Sequence, residues 1–328
     1  MLSLASADAL LALLAEETAL LLAVSGGPDS LALMLLAARW SLRDKIKTVV
    51  ATVDHGLRAA SREEALSVAS EAQALGFEHR LLLWTGEKPS TRLQERAREA
   101  RYALLADCAA AIDPRCAIVT AHHADDQAET ILFRLCRGSG VAGLAGMAAV
   151  STFNGARLLR PLLDTPKAAL EAICNEAGRA YVIDPANADP RFARARLRSL
   201  AATLSAEGLD RAALLRLGRR AARAEAALRH CAAHIAQSAR LESDGATARF
   251  AADALREAPD ELLARLIETQ TARFGSVPRL DRLERALERV GRALARREAA
   301  RMTLAGALID VDELSLSFRP APPRARQP

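Results

Sequence analysis

Short apolar segments alternate with longer amphipathic ones through roughly the first 185 residues. The strand-like segments are residues 19–24, 47–53, 78–84, 117–120, 157–163 and 181–183. Helical periodicity covers residues 31–40, 61–75, 91–111 and 125–137, and begins again at Thr165 and Pro166. Strands that alternate with helices of this length predict an α/β fold, with a parallel sheet covered by helices on both faces.

The pattern changes beyond about residue 194, where the strand signal largely disappears. Helical periodicity continues over residues 209–234, 259–274 and 279–297, with arginines at outward positions. We therefore predict two domains, an α/β domain over residues 1–205 and a smaller, mainly α-helical domain over residues 206–328. The Pro- and Arg-rich end of the chain, from residue 319 onward, is expected to be frayed.

Composition excludes a disordered polyelectrolyte, because 51% of the 328 residues are hydrophobic and 26% are charged. The net charge of +5 is unevenly distributed: residues 1–205 hold 23 basic and 23 acidic side chains, and residues 206–328 hold 22 and 17. All four lysines lie in the first part, and such dominance of Arg is typical of an Ala- and Arg-rich genome. The basic second part still predicts contacts with a polyanion there.

Cysteine usage argues against a disulfide framework, a zinc knuckle or a paired-thiol redox site. The five cysteines are an odd number without a C-x-x-C pair. No apolar run reaches about 18 residues without a charge, so we expect a cytoplasmic protein.

A glycine-containing turn follows the first strand and leads directly into a helix. Its residues are Ser25, Gly26, Gly27, Pro28, Asp29 and Ser30. Two successive glycines let backbone N–H groups converge, and the new helix directs its positive end to the same place. The turn therefore predicts an anion site at the carboxyl end of a strand. It matches neither G-x-x-x-x-G-K nor G-x-G-x-x-G.

This string resembles the S-G-G-x-D-S signature of the N-type PP-loop ATP pyrophosphatases, which cleave ATP between the α- and β-phosphates. The resemblance implies that the turn holds the β,γ-phosphates and magnesium. It also implies that Asp54 and His55, at the end of the second strand, lie near the adenosine. A mere strand-terminating turn is the alternative interpretation of these two residues.

Four further segments narrow the resemblance to the tRNA(Ile)-lysidine synthetase family. They are V-D-H-G-L-R from Val53, A-R-E-A-R-Y from Ala97, T-A-H-H-A-D-D-Q-A-E-T from Thr120 and R-G-S-G from Arg137, and R-P-L-L from Arg160 follows them. That family joins the ε-amino group of free L-lysine to C2 of the wobble cytidine of an isoleucine tRNA. The resemblance covers roughly residues 19–198. It implies ATP and Mg²⁺, tRNA(Ile) and lysine as partners, leaves a homodimer open, and casts residues 206–328 as a tRNA-binding domain.

The family pattern assigns roles to several charged side chains. Asp126 and Glu129, neighbours on one helix face, are expected to capture lysine. Asp29 and Asp126 are the expected metal contacts, and Asp29, Asp126 and Arg98 the expected catalytic residues. The expected tRNA or phosphate contacts are Arg101, Arg137, Arg194 and Arg198.

Some of these residues have simpler interpretations. Arg98 and Arg101 could be solvated surface charges, and the Gly-rich stretch at 138–146 a plain linker rather than a flexible segment near the substrate. A structural imidazole is as good an interpretation of His122 or His123 as a substrate contact. Ala186 and Ala195 stand where the family carries Ser and Asn, which puts the roles of Asn187 and Arg194 in doubt.

Three other functions remain open from sequence. A tRNA thiolase of the PP-loop type would normally need paired cysteines. A glutamine-dependent amidotransferase would carry a glutaminase domain, and only about 18 residues precede the first strand. A non-catalytic RNA-binding module would not need the intact turn at residues 25–30.

Overall fold

The computed structural model describes residues 6–56, 61–86, 93–182, 193–241 and 245–322, without the side chains of Gln94, Arg194 and Ala195. The chain divides into two compact units, Met1–Arg220 and Ala221–Pro328. In the described part of the chain, no helix is both long enough and apolar enough to span a bilayer.

A six-stranded sheet forms the centre of the first unit. Its strands are β1 (Ala19–Ala23), β2 (Lys47–Asp54), β3 (Glu78–Leu83), β4 (Ala117–Val119), β5 (Val150–Phe153) and β6 (Ala156–Leu159). Their order is β3-β2-β1-β4-β6-β5, and only β5 runs antiparallel to its neighbour among these strands. The carboxyl ends of β1, β2, β4 and β6 therefore lie at one edge.

The helices of this unit begin with α1 (Ala7–Leu10) and a 3-10 turn (Ala12–Leu14). They continue with α2 (Pro28–Arg39), α3 (Ser61–Ala74), α4 (Leu93–Ile112), α5 (Ala124–Leu135), α6 (Val141–Leu144), α7 (Lys167–Glu176), α8 (Ala193–Ser199) and α9 (Ala201–Ala206). The next helix, α10 (Arg211–Ser238), runs from the first unit into the second.

Strand β1 is buried on both faces, as expected for a parallel sheet covered by helices. Leu20 and Leu22 pack with α2 in one core, whereas Leu21 packs with Leu105 of α4 in the other. This central strand delivers residues 25–30 to the carboxyl edge of the sheet.

The structure corrects two strand predictions in this unit. Residues 181–183 were expected to form a strand, but Tyr181 and Val182 are irregular and Ile183 lies outside the described residues. The Val182 N–H instead donates to the Gly26 carbonyl oxygen at 3.0 Å. The short antiparallel β5 was not predicted, because its alternate residues are exposed and it follows a glycine-rich stretch.

The second unit contains a five-stranded antiparallel sheet that the sequence pattern did not reveal. Its strands are β7 (Arg240–Leu241), β8 (Ala248–Ala251), β9 (Ala300–Leu304), β10 (Ala307–Val311) and β11 (Ser315–Pro320), in the order β7-β8-β11-β10-β9. The expectation of little β structure beyond residue 194 was therefore wrong. Charged residues on the exposed face interrupt the apolar runs; Asp310, for example, pairs with Arg301 and Arg319 on its neighbours.

Helices still make up most of the second unit, as predicted. They are α11 (Ala252–Arg256), α12 (Asp260–Phe274) and α13 (Leu280–Arg296), together with the later part of α10. Phe250 and Phe318 of the sheet, with ring centroids 6.1 Å apart, share a core with Val290 of α13. The expected frayed tail falls partly outside the described residues, which end at residue 322.

Candidate active site at the carboxyl edge of the first sheet

The turn after β1 is held in shape by its two serines. The Ser25 N–H donates to the Ser30 hydroxyl at 3.1 Å, and that hydroxyl donates to the Gly27 carbonyl oxygen at 3.0 Å. Gly26 has φ of +84°, and a Cβ there would lie 3.2 Å from Val68 Cγ2. The turn thus leads into α2 with glycine backbone at the point where an anion would approach.

Asp29 occupies the first turn of α2 and faces a buried histidine. Its Oδ2 lies 3.4 Å from Nε2 of His123. Its Oδ1 is buried and has no hydrogen-bond partner within the described residues. A buried carboxylate oxygen without a partner is costly unless a ligand satisfies it, so this oxygen fits a bound cation.

His123 is the N-cap of α5 and forms a reciprocal capping box with Asp126. Its Nδ1 accepts from the Asp126 N–H at 3.3 Å, and Asp126 Oδ2 accepts from the His123 N–H at 3.2 Å. Since Nδ1 is an acceptor, the ring proton of the neutral imidazole lies on Nε2. That nitrogen also lies 3.4 Å from Asp126 Oδ2, so it faces both carboxylates. The sequence did not reveal this bridge.

Burial and charge act against each other at this pair. Burial alone would lower the pKa of His123, but the hydrogen bond with Asp29 and the charges of Asp126, Asp29 and Asp125 raise it above its ordinary value. Burial raises the pKa of Asp126, and the nearby imidazole opposes that rise only in part. Such perturbed groups at the carboxyl edge of an α/β sheet are typical of a functional site.

Glu129 lies one turn further along α5 and is paired with Arg198 of α8. Arg198 donates from Nε to Glu129 Oε1 and from Nη2 to Oε2, the latter at 2.9 Å. Glu129, which is predicted to bind the lysine amine, therefore contacts Arg198, which is predicted to contact RNA. The side chain of Arg194, on the same helix, lies outside the described residues.

Asp125, beside Asp126, makes structural contacts. It accepts from the Lys167 N–H at the start of α7 and from Arg211, both at 2.9 Å. Burial acts to raise its pKa, but these hydrogen bonds and the charge of Arg211 lower it below the ordinary value.

Asp54 and His55 shape the turn after β2. Asp54 accepts from the Ser61 hydroxyl at 2.6 Å and from the Gly56 N–H at 2.8 Å. These two hydrogen bonds lower the pKa of Asp54, and the bond from Ser61 has the larger effect. The His55 ring packs edge-on against Trp84 at 6.0 Å. Both interpretations of these residues stay open, because the turn and a neighbouring nucleotide are compatible.

Arg98 and Arg101 share an aromatic support on α4. Their guanidinium carbons lie 5.0 and 5.2 Å from the ring centroid of Tyr102. That ring is buried and packs on Phe153 at 5.2 Å. The two arginines therefore share one aromatic ring.

Two residues of α5 hold the segment after it. Gln127 exchanges two hydrogen bonds with the Met147 backbone, at 2.7 and 2.8 Å. Arg134 Nη1 donates to the carbonyl oxygens of Gly143 and Gly146 at 2.9 and 2.7 Å. Gln127 lies in the T-A-H-H-A-D-D-Q-A-E-T string and Arg134 lies just after it, so the string indicated in the sequence that this part of the chain matters. Arg137, at the start of the segment, stacks on Phe133 at 3.8 Å.

In the described part of the chain, no group of three or more His, Cys, Asp or Glu side chains is arranged to hold a metal ion. A magnesium ion does not need one, because it usually binds one or two protein carboxylates together with water and substrate phosphates. Asp29 and Asp126 fit that pattern.

Known proteins share both the sequence and the fold. Residues 3–204 match the family ATP_bind_3, described as a PP-loop domain. A tRNA(Ile)-lysidine synthase of Methylobacterium sp. (strain 4-46) is 50% identical over 312 residues, covering 93% of this chain and 90% of that one. A namesake from Bradyrhizobium sp. (strain BTAi1) is 45% identical over 345 residues, covering 99% and 96%.

One solved structure with a similar fold is the U34-tRNA thiolase NcsA from Methanococcus maripaludis. It superposes with a TM-score of 0.54 at 16% identity, over 66% of this chain and 77% of that one. Identity this low bears on the fold alone, and the PP-loop assignment rests on the family match over residues 3–204.

Proposed function

The chain belongs to the tRNA(Ile)-lysidine synthase family of PP-loop proteins, and on that premise we propose that it joins free L-lysine to an isoleucine tRNA at the expense of ATP. The new bond would link the lysine ε-nitrogen to C2 of the wobble cytidine. The observation that carries the proposal is the meeting of Asp29 and Asp126 at Nε2 of His123, 3.4 Å from each. This contact supports a phosphate-binding role for residues 25–30 and an amine-binding role for the carboxylate of Asp126.

In the first half-reaction, the cytidine C2 oxygen attacks the α-phosphorus of ATP and pyrophosphate leaves. Residues 25–30 hold the β,γ-phosphates through backbone N–H groups and the start of α2. Asp29 and Asp126 would hold Mg²⁺, which supplies charge neutralisation to the phosphates. Arg98, supported by Tyr102, adds positive charge toward the reacting phosphate.

In the second half-reaction, the lysine amine attacks C2, loses a proton and displaces AMP. Asp126 and Glu129 orient the amine by charge-assisted hydrogen bonds. Their contribution is positioning, because holding two reactants together removes much of the entropic barrier.

Arg101, Arg137, Arg194 and Arg198 are the proposed phosphate contacts on the tRNA. Residues 206–328, with an excess of five arginines over acids, form the proposed tRNA-binding domain, and residues 1–205 form the proposed catalytic domain. We place the enzyme in the cytoplasm, where its tRNA substrate would be. The resemblance leaves a homodimer open, and this stays a prediction. Light scattering would test it by measuring the molar mass of the protein in solution.

Nucleoside analysis tests the proposal directly. A tRNA pool would be incubated with the protein, ATP, magnesium and lysine, digested and examined by mass spectrometry. We expect a cytidine heavier by one lysine less one water, formed only when ATP and lysine are both present. In a parallel incubation with added sulfide, a nucleoside in which sulfur has replaced oxygen would favour a thiolase instead, and a pool unchanged in both incubations would favour a non-catalytic RNA-binding protein.

A further inference from the structure

Both oxygens of the Glu129 carboxylate are engaged by one guanidinium group. Arg198 reaches them from Nε and Nη2 as a two-pronged fork, which is a strong and geometrically specific pairing. The Glu129 side chain is 19% exposed and that of Arg198 44%, so the pair is partly shielded from water. A substrate amine directed to Glu129 therefore meets a cation already in place.

Packing fixes this position. Leu197, next to Arg198 on α8, packs against a cluster on α5 that includes Ala128, Ile131 and Leu132. The backbone that carries Arg198 is thus seated on the helix that carries Glu129, and the ion pair follows from the fold.

Arg198 also faces the rest of the acidic group. Its hydrogen bond with Glu129, and then the charges of Glu129, Asp126 and Asp29, raise its pKa despite its partial burial. The guanidinium thus neutralises part of a site that holds several carboxylates. A second cation bound at Glu129 would lie close to it, and like charges in a partly shielded site repel each other strongly.

We propose that Arg198 couples lysine binding to RNA binding: it occupies the Glu129 carboxylate in the free enzyme and leaves it when an RNA phosphate engages the guanidinium. The proposal rests on the proposed function, in particular on lysine binding at Glu129. Lysine then binds weakly to the free enzyme and tightly to the RNA-bound enzyme. Because binding free energies are reciprocal, lysine strengthens RNA binding by the same factor.

Two other roles for Arg198 predict different signs. If Arg198 orients Glu129 for the amine, its removal weakens lysine binding. If the pair is an ordinary surface ion pair, its removal leaves lysine binding unchanged, since such pairs contribute little.

The experiment measures the dissociation constant of lysine by calorimetry on the full chain, with and without unmodified tRNA(Ile). For the parent protein we expect lysine affinity to rise about tenfold with tRNA, within the usual range for coupled sites. Without tRNA, Arg198→Ala should already bind lysine about tenfold more tightly than the parent protein does. Adding tRNA should then raise the lysine affinity of this variant by less than about twofold. Arg198→Lys keeps a cation but loses the fork, so it should fall between the two.

The control variant is Arg157→Ala. Arg157 pairs with Glu17 at 2.8 Å at the opposite, amino-terminal edge of the sheet, and its removal should leave lysine binding as in the parent. Thermal melting would confirm that each variant is folded, and Arg198→Lys serves if Arg198→Ala is not.

Weaker or unchanged lysine binding by Arg198→Ala without tRNA would overturn the proposal. Parental lysine affinity in Glu129→Gln would also overturn the proposal, because the Glu129 carboxylate would then not bind the lysine amine. Nucleoside analysis of the parent protein judges the proposed function separately, since lysidine can form whichever way Arg198 acts.

Discussion

Asp29 Oδ2 and His123 Nε2 lie 3.4 Å apart, which joins the first turn of α2 to the residue that caps α5. The same nitrogen faces Asp126 at 3.4 Å. One buried imidazole therefore sets the spacing between the carboxylate beside the phosphate turn and the carboxylate assigned to lysine.

Substitutions of His123 should separate its role as the N-cap of α5 from its contact with Asp29 and Asp126. Asn is a good N-cap, whereas Ala is a poor one, so His123→Ala should cost about 1 kcal/mol of unfolding free energy and His123→Asn much less. Both lose Nε2, and lysidine formation should fall about 10- to 100-fold, the scale for misplaced reacting groups. Chemical denaturation and single-turnover rates measure the two effects. Parental turnover in His123→Asn would show that the bridge is dispensable.

Asp126→Asn should raise the KM for lysine about 10- to 100-fold, since a hydrogen bond to a charged group contributes about 1.5–3 kcal/mol. The amide oxygen can still accept from the His123 N–H, so stability should change little. Steady-state kinetics with lysine and ATP varied in turn provide the measurement. The matched control is Asp125→Asn, because its hydrogen bonds are with Lys167 and Arg211 and its Oδ2 lies 3.8 Å from His123 Nδ1, beyond hydrogen-bond distance; it should lose stability while keeping its KM for lysine.

Two substitutions at Tyr102 should differ in RNA affinity. Tyr102→Phe removes only the hydroxyl and keeps the ring that supports Arg98 and Arg101. Tyr102→Leu removes the ring, and cation–π contacts contribute about 0.5–1 kcal/mol each at exposed sites. We expect the KM for tRNA to rise several-fold in Tyr102→Leu alone, measured at fixed ionic strength. Equal KM values for the two variants would argue against the aromatic support.

Gly26→Ala should impair both folding and nucleotide binding. A left-handed residue costs a non-glycine side chain about 1–2 kcal/mol, and the Cβ would press on Val68 Cγ2 at 3.2 Å. Gly155, in the β5–β6 turn, has a similar φ of +81° with nothing within 4 Å of its Cβ position. Gly155→Ala should therefore lose similar stability while its affinity for ATP stays parental, which a fluorescent ATP analogue would show.

Asp54 should make folding stability depend on acid pH. Its pKa is lowered in the folded protein, so its contribution is complete above the unfolded value of about 3.9 and is lost as pH falls through the lower folded value. Asp54→Asn, which keeps an acceptor but no charge, should be about 1 kcal/mol less stable near neutral pH. Urea unfolding from pH 7 down to pH 3 should show this difference shrinking; a difference that stayed constant with pH would assign it to another cause.

Local patterns in the sequence were enough to predict the parallel sheet and the turn at residues 25–30 at the carboxyl end of β1. The buried run of β1 and the glycines that follow it fix where residues 25–30 must lie. The contacts across the chain could not be predicted in this way. Nothing in the H-H-A-D-D string shows that His123 points toward Asp29, because that contact depends on how β1 and β4 pair in the sheet.

The second unit shows the same limit from another side. Helix α13 was predictable, since its apolar residues recur at helical spacing. Strands β9 to β11 were not, because arginines and aspartates on their exposed faces pair across strands and hide the alternation. The bidentate contact of Arg198 with Glu129 likewise depends on how α8 packs on α5.

Helix α5 makes contacts of several kinds along its length. His123 and Asp126 lie at its start, and Gln127 and Arg134 hold the loop after it. Ile131 packs on Gly218, where an added Cβ would lie 2.5 Å from Ile131 Cδ1. Each added or deleted residue would rotate everything downstream by about 100°. In evolutionary terms, this helix can exchange side chains one at a time, but its length cannot drift.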